Sequence, residues 1–462
     1  MDVTSLSLFR SMMCSNSGQR QLFDNLFQHY ISGDEDGSFR LCLDIIVDSG
    51  IFDATVGAVV YSTLFPSMTL ENDPDSEMLF SLAAALLASD VRSNVVERQR
   101  LNWQAHVRWL RREGSFSRFY RMSYTSFWKL LSMLRPSLFV NSSQSQCRTS
   151  GLEPIYAEII LHCTLRYLAG GSYLDIMCNA GISRTSFYSC VYRGIDAING
   201  SPELMLQLPR SLAQLRSLAS EFASLSLDRV LNGCVMALDG WLCRIKVPGA
   251  NETPNVSSYF SGHYQCYGVN VQAACDAQSR FTYVCVLCPG GTGDSRAYQA
   301  SELRYFIDGL PPGFYAVADN AYTLSEHLII PYCGVDKLDR SKDVCNFYIS
   351  QLRIRIEQAF GLLVCKWRIF KKPLELKLHR VQHVVQACFR LHNFCIDNRD
   401  EKCAVILTRD VETFVPNYEF VLPAVQTTLT VRTQRSSVRE AIRAQLNANG
   451  AQRPVYNLNR NT

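Results

Sequence analysis

No apolar run in this 462-residue chain approaches the roughly 18 residues that a bilayer-spanning helix needs. Its first residues, MDVTSLSLFRSMMCSNSG, have neither a basic leader nor an apolar centre, so no secretory signal is expected. The 18 cysteines include no zinc-like pair of pairs. Their one CxxC, Cys285 and Cys288, sits inside the apolar run FTYVCVLC and reads as strand. Scattered thiols of this kind behave as small hydrophobes and suit a reducing, intracellular compartment. Net charge is also scant, at +4. What is present is 47% hydrophobic and 11% aromatic residues, which argues for a folded chain of two or three domains.

The small net charge hides a lopsided distribution. Residues 1–90 hold 13 Asp and Glu against 3 Arg, which leaves the remainder strongly basic. Arg92–Arg121 has 8 Arg against 2 Glu, and Arg353–Arg380 has 8 Lys and Arg against 2 Glu. A single basic stretch is ordinarily a solvated helix face, but several in one region point to a polyanionic partner. The expected organisation is an acidic helical extension (1–90), a helical region (91–228), a mixed strand and helix domain (229–400) and a partly disordered basic tail (401–462).

In the second region, Trp103, Trp109, Phe116, Phe119, Tyr120 and Phe127 are interleaved with arginines, and such rings are more often core than base-stacking platforms. Ser123 and Ser126 are candidate caps for the helix that ends before Pro136. Tyr173–Ala180, a turn at Gly181 and a helix capped by Ser183 give the layout of a helix-turn-helix. Its second helix would display Arg184, Thr185, Tyr188 and Arg193, entering the major groove by its N-terminal end; a plain helical hairpin is the equal alternative. Pro202–Leu227 reads as helical.

The third region opens with LNGCVMALDGWLCRIKV, a core strand carrying one acid, Asp239. Cys266–Cys275 and Phe281–Cys288 read as two strands joined by the turn Asp276–Arg280. After PGGTGDS comes a helix, Ser295–Asp308, then a strand Phe314–Ala318 ending on Asp319. Thr323–Ile330 reads as a short helix, Pro331–Val344 as irregular, and Asn346–Phe370 as a long helix containing Glu357. His379–Ile396 is a further helix, in which His379 and His383 have chelating spacing but read as surface or core positions, and His392 as structural. The order predicts an α/β mixed sheet covered on both faces. Carboxylates on two strands and a helix are hard oxygen donors and could converge on Mg²⁺.

Four segments, LDGWLCRI, YGVNVQAACDAQSRFTYVCVLCPGGTGDSRAYQAS, FYAVADNAYTLSEHLIIPY and NFYISQLRIRIEQAFGLLVCKWRIF, occur in the same order as the motifs of a known family. With the closing VVQACFRLHNFC, they resemble the DDE-type nuclease domain of PIF/Harbinger transposases and the nucleases derived from them. The resemblance spans roughly residues 115–397. It implies a ribonuclease H-like mixed sheet flanked by helices, here preceded by the all-α region with its helix-turn-helix-like segment. It assigns Asp239, Asp319 and Glu357 as the three catalytic, metal-holding acids. Asp239 would bridge two divalent ions, Mg²⁺ or Mn²⁺, with the other acids holding one each. Asp294 stands where the family has an H-D-S motif, but Gly293 replaces the His, and Ala321 replaces a family Gly.

The implied activity is metal-dependent cleavage of DNA phosphodiesters, followed in an active transposase by strand transfer from the freed 3′-hydroxyl. Arg353, Arg355 and Lys366 are candidate contacts to flanking phosphates. The resemblance also implies nuclear location with some cytoplasmic presence, a Myb/SANT-like DNA-binding partner and homo-oligomers, with no membrane. Two other readings stand beside it. One is a domesticated, non-catalytic DNA-binding or scaffold protein on the same fold; the other is a hydrolase of smaller phosphoesters.

Overall fold

A computed structural model describes residues 98–144, 153–226, 229–334, 336, 339–398 and 436–453. The acidic extension expected over residues 1–90, including its helix Phe80–Ser89, lies outside the described residues. The described part belongs to one compact unit, Arg98–Thr462. Among the described residues no helix is long and apolar enough to cross a membrane.

Among the described residues the helical region includes α1 (Trp103–Arg112), α2 (Phe116–Tyr120), α3 (Tyr124–Leu134), α4 (Ala157–Leu168), α5 (Tyr173–Ala180) and α6 (Arg184–Gly200). Ser123 and Ser183 cap α3 and α6, their hydroxyls accepting from the Ser126 and Ser186 N–H groups, as such cap signals predict. The aromatics of this region are mostly core: Tyr120 and Phe127 are buried, and Trp103 stacks on Phe127. Trp109 is the exception, at 56% exposed. The Tyr120 hydroxyl lies between His106 Nε2 (3.1 Å) and His162 Nδ1 (2.8 Å), and burial lowers both imidazole pKa values, so the pair stays neutral. Gly181 closes α5 at φ +62°, and a Cβ there would collide with the Gln99 carbonyl. Only glycine meets both demands.

The segment expected to be helical over Pro202–Leu227 divides into a 3₁₀ turn (Pro202–Leu204) and α7 (Leu212–Ala223), started by a capping box between Ser211 and Gln214. The sheet follows: β1 (Cys234–Arg244), β2 (Phe260–Ser261), β3 (Cys266–Cys275), β4 (Phe281–Pro289), β5 (Tyr315–Val317) and β6 (Leu328–Ile329). Its order is β4–β3–β1–β5–β6, with β2 pairing the start of β3. β3 runs antiparallel to both β1 and β4, and β5 and β6 run parallel to β1. Asp276 makes the β3–β4 turn by accepting from the Gln278 and Arg280 N–H groups. α8 (Asp294–Gln299) and α9 (Glu302–Asp308) replace the single helix expected over Ser295–Asp308.

Two expectations need correction. Leu328–Ile329 is strand rather than part of a helix over Thr323–Ile330; a three-residue apolar run carries no period, and pairing with Ala316 and Val317 decides it. The long helix, α10, spans Arg340–Lys366 rather than Asn346–Phe370. Asp339 caps it six residues early by accepting from the Ser341 and Lys342 N–H groups, and the chain leaves helical geometry at Trp367, well before Pro373.

Alternation along β1 sends odd and even positions to opposite faces. Ala237, Trp241 and Cys243 face α10 and α11 (Leu378–Asp397), where the Trp241 ring stacks on Phe360 and meets Phe370 edge-on. This core runs without a break into the helical region. Met236 and Leu238 face α7, α8 and α9 through a second core containing Leu215, Tyr298 and Ile307. At the edge strand β4, Asn393 of α11 accepts from the Phe281 N–H and donates to its carbonyl, taking the place of a missing strand.

The C-terminal tail is described in part. Residues 401–435 lie outside the described residues, but α12 (Ser437–Ala448) is ordered. Glu326 accepts from the Ser437 and Val438 N–H groups, closing the helix start. Arg439 lies 4.0 Å over the Tyr332 ring, Arg443 pairs with Glu440 (2.8 Å), and Arg453 with Asp343 (2.9 Å). Each of these arginines has a partner within the protein.

Candidate active site

Asp239 and Asp319 are brought together by strand pairing. β1 and β5 are parallel neighbours with Ala237 opposite Val317, so two residues further on the acids stand side by side on the α10 face. Asp239 Oδ1 accepts from the Gly240 N–H (2.8 Å), and Asp319 Oδ1 from the Ala321 N–H (2.9 Å). The third acid arrives by helix packing. Arg353, Glu357 and Phe360 share one face of α10 at i, i+4 and i+7, while Asp239 and Trp241 share one face of β1. The Trp241–Phe360 stack therefore sets Arg353 and Glu357 beside Asp239.

Arg353 is the centre of what results. Its Nη1 is hydrogen-bonded to Glu357 Oε1 and lies 3.9 Å from Asp239 Oδ2. Burial, reinforced by the Asp319 charge, pushes the Asp239 carboxyl up to about 7 against the pull of Arg353 and the Gly240 N–H. Burial also raises Asp319, with Asp294 and Glu357 adding to the rise. A site in which buried carboxylates raise one another is short of positive charge, and its hard oxygen donors suit Mg²⁺ or Mn²⁺. Among the described residues, however, no three His, Cys, Asp or Glu side chains are gathered as a ready metal cage. Arg353 serves there as the counter-ion.

The remaining predicted residues divide. Arg184 and Thr185 are exposed at the start of α6, with Arg184 5.4 Å over the Tyr173 ring. Arg193 is exposed and donates to the Phe139 carbonyl (3.3 Å). Arg355 faces away from the acids and donates to Gln358 (3.0 Å). Lys366 is a correction: it is 7% exposed at the end of α10, near the buried His392, and out of reach of a phosphate. His392 bonds the Ser279 carbonyl and is structural, as expected; His383 Nδ1 bonds the His379 carbonyl.

A polar cluster behind the acids was not anticipated. Asp294 Oδ1 accepts from Asn270 Nδ2 (2.9 Å) and Gln272 Nε2 (3.1 Å), and Gln272 Oε1 accepts from the Tyr322 hydroxyl (2.7 Å). The signal for it was in β3: Asn270 and Gln272 are two amides at i, i+2 in the otherwise apolar run YGVNVQAA, hence on one buried face.

Residues 238–393 match the family described as DDE superfamily endonuclease. Over 249 residues the chain is 24% identical to the Mus musculus protein named "Putative nuclease HARBI1", covering 53% of this chain and 68% of that protein. No solved structure matches. The mixed sheet and the helices on both faces agree with these two matches: residues 238–393 are similar to DDE superfamily endonucleases, and the chain is similar to a protein named as a nuclease.

Proposed function

We propose that the protein is a divalent-metal-dependent DNA endonuclease on a ribonuclease H-like fold, with Asp239, Asp319 and Glu357 as metal-holding acids. The observation that carries this is the placement of Asp239, midway along β1, beside Asp319 just past the end of the neighbouring β5, with Arg353 of α10 reaching both Asp239 and Glu357. Bound there, two Mg²⁺ or Mn²⁺ ions would supply an activated water and stabilise the charge of the pentavalent phosphate. The chain's own residues do the rest. Asp239, beside Asp319 and joined to Glu357 through Arg353, would be the shared ligand. The Gly240 and Ala321 N–H groups orient its carboxylate and that of Asp319. Arg353 pairs with Asp239 and Glu357, and its guanidinium would be free to meet a flanking phosphate if bound cations took over those carboxylates.

The exposed start of α6, with Arg184 and Thr185, and Arg193 further along it, is the proposed duplex contact. The Harbinger resemblance carries the remainder of the reading: nuclear location, a Myb/SANT-like partner, homo-oligomers and, in an active transposase, strand transfer. A second reading, a DNA-binding or scaffold protein without cleavage, is favoured by one observation, the Arg353 ion pairs that satisfy two of the acids without metal.

The test is nicking of supercoiled plasmid in Mg²⁺ or Mn²⁺ by the native protein and by Asp319→Ala. Nicking that the substitution abolishes supports the endonuclease. Folded protein that binds DNA but neither binds Mn²⁺ nor nicks would establish the non-catalytic reading.

A further inference from the structure

The acids occupy one face of the sheet, and the cluster of Asp294, Asn270, Gln272 and Tyr322 occupies the other. Gly240 is opposite Gln272 in the β1–β3 register, and its α-carbon faces away from the side of Asp239. A Cβ at Gly240 would fall on Asp294 Oδ1 and press on Gln272 Nε2. The Asp294 carboxylate therefore fills the place a side chain would take at the residue whose N–H holds Asp239.

The cluster is satisfied throughout. Asn270 Nδ2 donates to Asp294 Oδ1 (2.9 Å) and to the Thr292 carbonyl (3.0 Å), while Asn270 Oδ1 accepts from Gln272 Nε2 (2.8 Å). Gln272 Nε2 also donates to Asp294 Oδ1 (3.1 Å), which leaves its Oε1 for the Tyr322 hydroxyl (2.7 Å). The Gln272 amide has one workable orientation, because turning it over would set its oxygen against the Asp294 carboxylate. Asn270, Gln272 and Tyr322 are all buried, so each lost bond leaves an unsatisfied polar group in the interior. Tyr322 is three residues past Asp319, and its N–H closes the turn on the Asp319 carbonyl (3.4 Å).

From this geometry we propose that Asp294 is a positioning residue for the acid site. It acts through Gln272 and Tyr322 on the turn carrying Asp319, and through its contact at Gly240 on the segment carrying Asp239. Its carboxylate lies on the far face of the sheet and is not itself a metal ligand. What matters is an acceptor at Oδ1 that receives two amide donors. Outer-shell partners of this kind commonly change metal affinity by about 10- to 100-fold. The inference rests on the metal-holding reading of Asp239 and Asp319.

The experiment measures Mn²⁺ binding to the full chain by isothermal titration, with circular dichroism as the check of folding. The variants are Asp294→Ala, Asp294→Asn and Tyr322→Phe, with Asp239→Ala as control. Asp294→Asn keeps an acceptor oxygen and is expected within about 3-fold of native affinity. Asp294→Ala and Tyr322→Phe are expected to weaken binding about 10-fold or more. Hydrogen exchange at the Ala321 and Tyr322 amides, followed without metal, is expected to quicken in both. Folded Asp294→Ala or Tyr322→Phe with native Mn²⁺ affinity overturns the inference, provided Asp239→Ala abolishes binding. Should Asp239→Ala also bind normally, the metal-holding reading falls and this inference with it. If Asp294→Ala does not fold, Tyr322→Phe decides, since it retains the ring in its core and loses only the hydroxyl.

Discussion

Replacing Arg353 by Met removes the guanidinium from among the acids and keeps the apolar stem. Its Nη1 is 3.9 Å from Asp239 Oδ2. At an effective dielectric constant of about 20, unit charges at that spacing attract by about 4 kcal/mol. Two effects reduce the net loss. The desolvation cost of the guanidinium disappears with it, and Asp239 can take up a proton in its place. With Arg353 present the Asp239 carboxyl sits at about 7 against an ordinary 3.8. Half of the gross attraction, converted at about 1.4 kcal/mol per pH unit, would move it to about 8 or 9 in the variant.

The sign follows from proton linkage. A folded-state pKa above the unfolded one means that the folded chain holds a proton the unfolded chain releases. Stability therefore falls as pH rises from the unfolded value to the folded one, and is level above it. In the native protein that decline ends near pH 7, set by the Asp239 value. In Arg353→Met it continues for about one to two further units, so the variant is expected to be near-native at about pH 6 and about 1–3 kcal/mol less stable at about pH 9. Urea denaturation across this range reads the difference directly. Mn²⁺ at alkaline pH is expected to stabilise the variant more than the native protein, because no guanidinium has to be displaced. Parallel stability–pH curves for the two proteins would refute the counter-ion role.

Asp239→Asn removes a charge that burial and Asp319 oppose, so it is expected to stabilise the metal-free protein above about pH 7 by a few kcal/mol while abolishing Mn²⁺-dependent stabilisation; urea titration with and without Mn²⁺ checks both. Gly181→Ala must adopt φ +62° and meet the Gln99 carbonyl, and a loss of more than about 1 kcal/mol is expected, read as a lowered thermal midpoint. Arg439→Ala removes the cation from the Tyr332 ring and a donor from the Ile330 carbonyl, for an expected loss of about 1–3 kcal/mol and faster exchange along α12. If α6 contacts duplex, Arg184→Ala lowers the slope of log affinity against log salt by about one, and an unchanged slope removes that contact.

The strands that carry the acids were legible because in each an apolar run is followed directly by a carboxylate, although β1 continues past Asp239 to Arg244. β3 was legible to the residue, Cys266 to Cys275, since Asp276 and the polar turn after it mark its far boundary. Helix limits were less so: Asp339 is a strong cap, but the polar run after it hides the first turns of α10, whose buried residues begin at Val344. β6 was hidden because two paired residues carry no periodicity. Lys366 read as a surface cation because burial of a long side chain is decided by the helix packed over it, which no local pattern records. The order of α12 was concealed for a similar reason, since its arginines are matched by the Ser341 hydroxyl and the Tyr332 ring from elsewhere in the chain.

The pleat of β1 makes a division of labour out of one sequence, LDGW. Asp239 and Trp241 point to one face, where the ring docks α10 and so delivers Glu357 to the acid. Gly240 opens the other face to Asp294. A side chain at 240 would leave Asp239 and Trp241 in place but push Asp294 away from Asn270 and Gln272, breaking the link to the Asp319 turn. Gly240→Ala is thus expected to weaken Mn²⁺ binding as Asp294→Ala does, and the double variant to be no weaker than either single one, because both remove the same contact. Additive losses in affinity would mean that the glycine and the carboxylate act on the acids by separate routes.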